Sequence, residues 1–286
     1  MTTRSTTGSL AAALVVAVFL LGVMPGEVWS QDPAKEFART TLERLLEHQG
    51  GREAVEGIRD LYVRVFYVAY EKGGGEKVEM EGYLRQFFRP PDLLRLEEQD
   101  EDKIKIVKVF DGATRTGSSH RPGREGVIPL NETDEPRQVR DLHDHLRRFR
   151  MLFGTYLLRE GTEARFRRFA GAETDDDYWI RWTDGPAAET KEYLDLRIAG
   201  GELKTVRVVP TDGGEVHVLV LEEPKEFGGL RFPTRALVKR DLGDGKSEKV
   251  IELKVVTDGL VVNPELLDDT YSSPTVETPK EPRARK

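Results

Sequence analysis

His143, Asp144 and His145 form the cluster in this sequence that comes closest to a metal site, because imidazoles and carboxylates are common metal ligands. The cluster falls within a stretch, from Arg137 to about Glu160, that has helical periodicity. Side chains two residues apart on a helix point about 200° apart. The two histidines therefore cannot share one ion unless the helix breaks between them. We interpret all three as solvated helix side chains and predict no metal site.

A hydrolase built on His143, Asp144 and His217 is the remaining catalytic hypothesis. The sequence contains no G-x-S-x-G motif, no H-E-x-x-H motif and no cysteine, so the usual serine, zinc and thiol mechanisms lack their signatures. The three aspartates at 175–177 lack the alternating oxygens and the fixed glycine of a calcium-binding loop. We therefore predict no catalytic residue, no metal and no cofactor, and we rank the hydrolase last.

The composition is that of a soluble globular protein rather than a disordered chain. Of the 286 residues, 38% are hydrophobic and 33% are charged, which allows a sizeable core. The net charge is −7, whereas proteins that bind nucleic acids normally present a basic surface. We therefore predict no nucleic-acid partner.

The first 30 residues have the pattern of a secretory signal peptide. Arg4 supplies a positive charge, an apolar run extends from Leu10 to Val23, and compact residues lie at the cleavage positions before Gln31. The apolar run is shorter than the roughly 20 residues of a membrane-spanning helix, although an uncleaved anchor is the alternative. We predict cleavage after Ser30 and a periplasmic location.

Two amphipathic helices are expected to cover the rest of the fold. The first extends from Asp32 to Gln49 and ends at Gly50-Gly51, as a helix with a glycine cap does. The second is the stretch from Arg137 to about Glu160. Its apolar stripe consists of Val139, Leu142, Leu146, Phe149, Phe153 and Leu157. Because such a stripe must be buried, we expect this helix to lie across the concave face of a sheet.

Strands account for most of the remaining chain. Residues 61–118 and 191–257 contain β-branched and aromatic segments that are joined by short turns, many of them rich in glycine, which favours antiparallel hairpins. Two further strands are expected between residues 164 and 183. The segment from Ser119 to Pro136 has no periodicity and is predicted as a long loop or a mobile flap. The tail, 272–286, has almost nothing to bury and is predicted as disordered.

Apolar residues on these strands and on the second helix either line a ligand cavity or form the core beneath the helices. For any single residue the core interpretation is favoured, because strands that face a helix are generally apolar. The candidates for a cavity lining are Val63, Val65, Tyr67, Met80, Leu84, Phe88, Ile106, Leu142, Leu146, Phe149, Phe153, Trp179 and Trp182.

The order of these elements resembles that of the outer-membrane lipoprotein-sorting (LolA/LolB-like) superfamily. Besides the first helix with its Gly50-Gly51 end, the similarity is carried by PDLLRLE at 91–97, VFDG at 109–112, YLD at 193–195, GLRFPT at 229–234 and NPELLDD at 263–269. The resemblance covers nearly all of the chain after residue 30. The loop from Ser119 to Pro136 is an addition to the family pattern.

The resemblance implies an α+β fold for residues 31–271. Its sheet would be strongly curved and antiparallel, an incomplete barrel of about ten or eleven strands whose concave face is covered by helices. It also implies a non-enzymatic carrier that holds a lipid or an acylated lipoprotein in an apolar cavity. The alternative is an envelope interaction or sensor module of the same fold, with an envelope protein as its partner and no lipid transport.

Overall fold

The computed structural model describes residues 33–73, 75–100, 103–152, 165–168, 177–182, 192–278 and 282–283. The chain divides into two compact units, Met1–Pro33 and Ala34–Lys286, and the predicted signal peptide lies outside the described residues. No helix within the described ranges is long and apolar enough to cross a membrane.

The described residues form three α-helices, 13 strands and one short 3-10 helix. The α-helices are α1 (Pro33–His48), α2 (Arg52–Glu56) and α3 (Pro136–Met151), and the 3-10 helix is Asp268–Tyr271. The strands are β1 (Leu61–Tyr70), β2 (Val78–Arg89), β3 (Leu93–Asp100), β4 (Lys103–Asp111), β5 (Thr116–His120), β6 (Ile128–Leu130), β7 (Arg165–Arg168), β8 (Asp177–Trp182), β9 (Glu192–Ala199), β10 (Glu202–Pro210), β11 (His217–Phe227), β12 (Leu230–Gly243) and β13 (Lys246–Val262).

The 13 strands form one antiparallel sheet in the order β6-β5-β4-β3-β2-β1-β13-β12-β11-β10-β9-β8-β7. Neighbouring strands are consecutive in sequence except where β1 pairs with β13 and joins the two halves of the sheet. The edge strands β6 and β7 are not paired with each other in the described residues, so the sheet is open. The predicted α+β fold with an incomplete antiparallel barrel is confirmed.

The sheet has more strands than the ten or eleven that the sequence predicts. Strand β6 lies within the segment from Ser119 to Pro136, which was expected to be a loop or flap. It pairs with β5, and Leu130 at its end is buried in the core. Periodicity could not reveal it, because three residues are too few to show an alternation.

The two long helices pack on the same face of the sheet, which we call the inner face, and each covers its own hydrophobic core. The α1 core combines Leu42 and Leu45 with strand residues such as Leu194. The α3 core combines the buried stripe of α3 with strands β1 to β4, and Phe88 contacts Phe149 with their ring centroids 5.2 Å apart. Helix α3 ends at Met151 rather than at the predicted Glu160, and residues 153–160 lie outside the described residues.

The opposite, outer face of β1 to β3 is covered by the segment 268–278, which we call the C-terminal strap. Tyr271 packs against Tyr62 and Phe87, and its hydroxyl donates to Asp60 Oδ1 at 3.0 Å. The buried Arg95 donates to carbonyl oxygens of the strap, including that of Ser273 at 2.9 Å. The prediction of a disordered tail from residue 272 therefore differs from the structure at residues 272–278. There, carbonyl oxygens of the strap accept hydrogen bonds from the buried guanidinium of Arg95.

Gly50 lies where the end of α1 passes close to the turn between β11 and β12. Its φ angle is +116°, and a Cβ atom there would overlap the carbonyl oxygen of Gly229. We expect Gly50→Ala to lower the free energy of unfolding by at least about 2 kcal/mol, because the clash adds to backbone strain. Gly51→Ala is the matched control, since Gly51 has φ +89° but no atom within 4 Å of its Cβ position. Equal losses in chemical denaturation would contradict the clash.

Candidate functional site

A cavity of about 380 Å³ lies on the inner face, between the area covered by α1 and the area covered by α3. Its floor is formed by β1, β2 and β11 to β13, and α3 contributes a wall. The lining residues are Val63, Val65, Tyr67, Met80, Leu84, Gln86, Glu98, His145, Phe149, Leu152, Leu219, Leu221, Phe232, Pro233, Thr234, Arg235, Ala236, Val238, Ile251, Leu253 and Val255. Most of them are aliphatic or aromatic, so the cavity suits an apolar ligand.

The strand register explains why these residues lie side by side. One row crosses five strands through Leu221, Ala236, Leu253, Tyr67 and Gly82. Gly82 makes room for the ring of Tyr67, because a Cβ atom at residue 82 would lie 3.1 Å from the Tyr67 hydroxyl. Burial raises the pKa of Tyr67, so its hydroxyl stays protonated and neutral. The floor is therefore continuous and carries no charge along this row.

Six of the 13 residues predicted as cavity lining border this cavity, namely Val63, Val65, Tyr67, Met80, Leu84 and Phe149. Phe88, Leu142 and Leu146 instead belong to the α3 core, and Trp182 belongs to the α1 core. Ile106 and Trp179 are half-buried and do not line the cavity, and Phe153 lies outside the described residues. Their role in binding a ligand stays a prediction.

Position along the strand and on the sheet decides which of these residues border the cavity. Phe88 points to the same face as Leu84, but it lies further along β2, where Phe149 of α3 covers it. Trp179 alternates with the buried Ile180 and Trp182 of the α1 core, so it points to the outer face. Apolar character alone therefore could not separate lining from core.

The sequence-based list omitted the lining residues of β11 to β13. Leu219 and Leu221 on β11, together with Ile251 and Leu253 on β13, supply much of the apolar floor. Their alternation was visible, but it did not show which face of each strand points inwards. The pairing of β1 with β13 settles this point, because Tyr67 lies directly opposite Leu253.

A small polar group borders the cavity beneath α3. His145 Nε2 and Gln86 Oε1 are 2.9 Å apart, and Glu98 lies on the neighbouring strand β3 with its carboxylate 3.1 Å from Lys108 Nζ. The sequence-based search had considered His145 only as a metal ligand. In the structure it contacts β2, whereas His143 Nδ1 lies 4.0 Å from Asp144 Oδ1.

No group of three or more histidine, cysteine or acidic side chains that could hold a metal is found within the described part of the chain. His217, the other residue of the hydrolase hypothesis, lies on β11 opposite Arg240 of β12. The described polar groups at the cavity, Gln86, His145 and Glu98, offer hydrogen bonds beside an apolar surface.

The far end of α1 is fixed to the sheet by Glu202, which accepts hydrogen bonds from His48, Lys204 and Arg231. Burial raises the pKa of Glu202, but these hydrogen bonds outweigh that effect and lower it to about 2. The next residue after His48, Gln49, donates from Nε2 to the carbonyl oxygen of Leu152 at the end of α3. Glu202 thus attaches the C-terminal end of α1 to the sheet, and Gln49 links that end of α1 to the end of α3.

The comparisons with known proteins support the fold. No protein-family model matches the chain, and no curated protein matches it. A DUF1329 family protein from Desulfovibrio piger has a similar structure, with a TM-score of 0.56 and 13% identity over 84% of this chain and 98% of that one.

Two further solved structures are similar to the chain. One is a LolA superfamily protein from Nitrosomonas europaea, with a TM-score of 0.50 and 14% identity over 80% of this chain and 96% of that one. The other is an outer membrane lipoprotein-sorting protein domain from Vibrio parahaemolyticus, with a TM-score of 0.52 and 13% identity over 82% and 97%. Identities this low show the fold alone. The resemblance is confirmed at that level, and the chain has the LolA-like fold.

Proposed function

We propose that this protein is a periplasmic, non-enzymatic carrier that holds a lipid or an acylated ligand, such as a lipoprotein, in the cavity of the inner face. The observation that carries the proposal is the apolar cavity between the two cores. Its volume of about 380 Å³ falls within the usual range of ligand pockets, roughly 300 to 1,000 Å³. A ligand chain would bury the apolar floor that the helices leave uncovered.

The cavity has an exposed end through which a ligand could enter. Met80 lines the cavity and is 55% exposed, and Ile251 and Val238 lie in the same row across the sheet. Large apolar side chains exposed beside a cavity often mark a binding site, because water contact with them is unfavourable. Elsewhere in the cavity wall, Phe149 and Phe232 are buried and pack with their ring centroids 6.3 Å apart.

Helix α3 is suited to act as a lid. His145 and Phe149 of this helix, and Leu152 directly after it, line the cavity. The names of two structural neighbours, a LolA superfamily protein and a lipoprotein-sorting domain, support a carrier of acylated proteins. The signal peptide predicted at residues 1–30 supports the periplasmic location.

The alternative, an envelope interaction or sensor module, would be favoured if the stripe of α3 were packed without an adjoining void. Leu142 and Leu146 are packed in this way, but Phe149 borders the cavity. We therefore keep the carrier as the proposed function.

A bulky side chain on the floor tests this proposal. Ala236 lies in the middle of the floor, and a tryptophan there would occupy the space of the ligand chain. We expect Ala236→Trp to weaken the binding of an environment-sensitive acyl probe at least about tenfold, a loss of about 1.4 kcal/mol of binding free energy. Fluorescence titration measures the affinity, and native mass spectrometry after incubation with a lipid extract shows whether lipid is retained.

Leu242→Trp is the matched control, because Leu242 lies at the exposed end of the same strand and outside the cavity. This variant should bind the probe as the unchanged protein does. The carrier proposal fails if the unchanged protein retains no lipid and binds no probe.

A further inference from the structure

We propose that Gln86 and Glu98 make the cavity select a neutral acyl group, an ester or amide of a fatty chain, over the free fatty acid. The side-chain amide of Gln86 would donate a hydrogen bond to the acyl carbonyl oxygen. The negative charge of Glu98 would disfavour a carboxylate at the same place. This inference rests on the proposed carrier function and names the chemical class of its ligand.

Gln86 is a buried polar side chain at the edge of an otherwise apolar cavity. It is 5% exposed and lies on β2 opposite Val63 of β1, which also lines the cavity. Its Oε1 atom is 2.9 Å from His145 Nε2, so a His145 tautomer that carries a proton on Nε2 donates to it. This contact fixes the orientation of the amide towards α3.

The Nε2 atom of Gln86 is the hydrogen-bond donor that remains available to a ligand. An amide nitrogen has two N–H groups, and among the described residues the Gln86 side chain makes no hydrogen bond other than the one to His145. This atom is not among the fully buried polar atoms without a partner, so it is accessible from the cavity, where a ligand oxygen can accept a hydrogen bond from it. Because the neighbouring floor is apolar, the matching ligand has an acceptor oxygen next to a hydrocarbon chain.

The charges around the cavity favour a neutral acceptor. Among the described lining residues, two are of a charged type, Glu98 and Arg235. The guanidinium of Arg235 is bound by the carboxylates of Glu222 and Glu252, each at 2.9 Å, and lies on the outer face, because Arg235 alternates along β12 with Ala236 of the cavity floor. Glu98 lies opposite Leu84, two positions from Gln86 along β2.

A free carboxylate near Gln86 would therefore be removed from water beside a like charge. That placement is costly unless a cation compensates, whereas an ester or amide carbonyl carries no net charge. Lys108 offsets part of the charge of Glu98, but its amino group is bound to Glu98 itself. Among the described residues the cavity thus offers a hydrogen-bond donor, while the neighbouring cation, Lys108, is already paired with Glu98.

The test compares three ligands with the same twelve-carbon chain at pH 8: lauric acid, methyl laurate and dodecane. Each ligand displaces the acyl probe from the full-length protein, which gives its relative affinity. At this pH, histidines with an ordinary pKa are neutral and the acid is ionised. We expect the unchanged protein to bind the ester at least about tenfold more tightly than the acid, the difference that about 1.4 kcal/mol produces.

Two variants separate the two parts of the inference. Gln86→Leu should weaken the ester about tenfold and leave dodecane unchanged, since only the hydrogen bond is lost. Glu98→Gln should strengthen the binding of the acid and leave the ester unchanged. Glu98 is 44% exposed, so this variant is expected to fold even if Gln86→Leu is not stable.

The outcomes distinguish the two proposals. If the unchanged protein binds none of the three ligands and no acyl probe, the carrier function itself fails. If it binds the acid as tightly as the ester, the selectivity is overturned while the carrier function stands. Equal binding of the ester by the Gln86→Leu variant and by the unchanged protein would overturn the role of Gln86.

Discussion

Replacement of Glu97 by glutamine is expected to lower the free energy of unfolding by about 3 to 5 kcal/mol, the cost of breaking a buried ion pair. Glu97 is completely buried on the outer face, beneath the C-terminal strap. Its carboxylate lies 2.7 Å from Arg85 Nη1 and 2.8 Å from Arg95 Nε. Without the carboxylate charge, two buried guanidinium groups would remain close together and would lose the anion that both of them contact.

The size of this effect follows from burial rather than from the number of contacts. Both arginines are as inaccessible to water as Glu97, and burial lowers the pKa of Arg95 although Glu97 acts in the opposite direction. A guanidinium remains charged under all practical conditions. After Glu97 is replaced, the guanidinium charges of Arg85 and Arg95 must therefore either stay in the interior without it, which is unfavourable, or become hydrated through local unfolding.

Asp100→Asn is the matched control for this prediction. Asp100 lies on the same strand as Glu97, β3, and pairs at 2.8 Å with Lys105 of β4, but both side chains are largely exposed. Exposed pairs contribute about 0 to 1 kcal/mol because water screens them. Urea denaturation of both variants measures the difference. A loss at Glu97 no larger than that at Asp100 would show that the buried network does not stabilise the fold.

The sequence predicted the architecture well because local patterns determine most of it. Alternation and glycine turns located most of the strands, and the stripe that contains Leu146 and Phe149 identified α3. The join between β1 and β13 has no such local signal, since Leu61 and Val262 pair although they are far apart in the sequence. The resemblance to a known fold implied one curved sheet, but it did not specify that β1 pairs with β13.

The outer-face network could not be recognised from sequence for a related reason. In the segment 93–100, LLRLEEQD, the charged residues are typical of the solvent-facing side of a strand. Burial of Arg95 and Glu97 depends on the strap, and Thr270, which accepts from Arg95, is 175 positions away. A charged side chain in a strand is normally exposed, so the pattern indicated the wrong environment.

The same limit applies to the candidate site. By residue type alone, Trp182 and Tyr67 are equally plausible lining residues. In the structure, α1 covers Trp182, whereas neither long helix fully covers Tyr67. The cavity exists where the areas of the two helices do not meet. Sequence patterns predict each helix and each strand, but the position of a helix across a sheet results from packing of side chains far apart in the chain.

Truncation after Leu267, which removes the strap, is expected to lower the free energy of unfolding by at least about 3 kcal/mol. This estimate combines the burial of Tyr271, about 1.5 to 3 kcal/mol, with the loss of hydrogen bonds to the charged Arg95. The carbonyl oxygens of Thr270, Ser273 and Val276 accept those bonds from Arg95. Truncation after Arg283 is the control, because it leaves every described strap residue in place.

The strap and Glu97 should also be coupled. In the truncated protein, water would reach Arg85 and Arg95, so hydration would replace part of the compensation that Glu97 provides. Glu97→Gln should therefore cost at least about 1 kcal/mol less in the truncated protein than in the full chain. Denaturation of the single variants and of the combined variant completes the double-mutant cycle. Additive losses would mean that the strap contributes apolar contact alone, and the buried charges would then depend on the sheet and not on the strap that covers them.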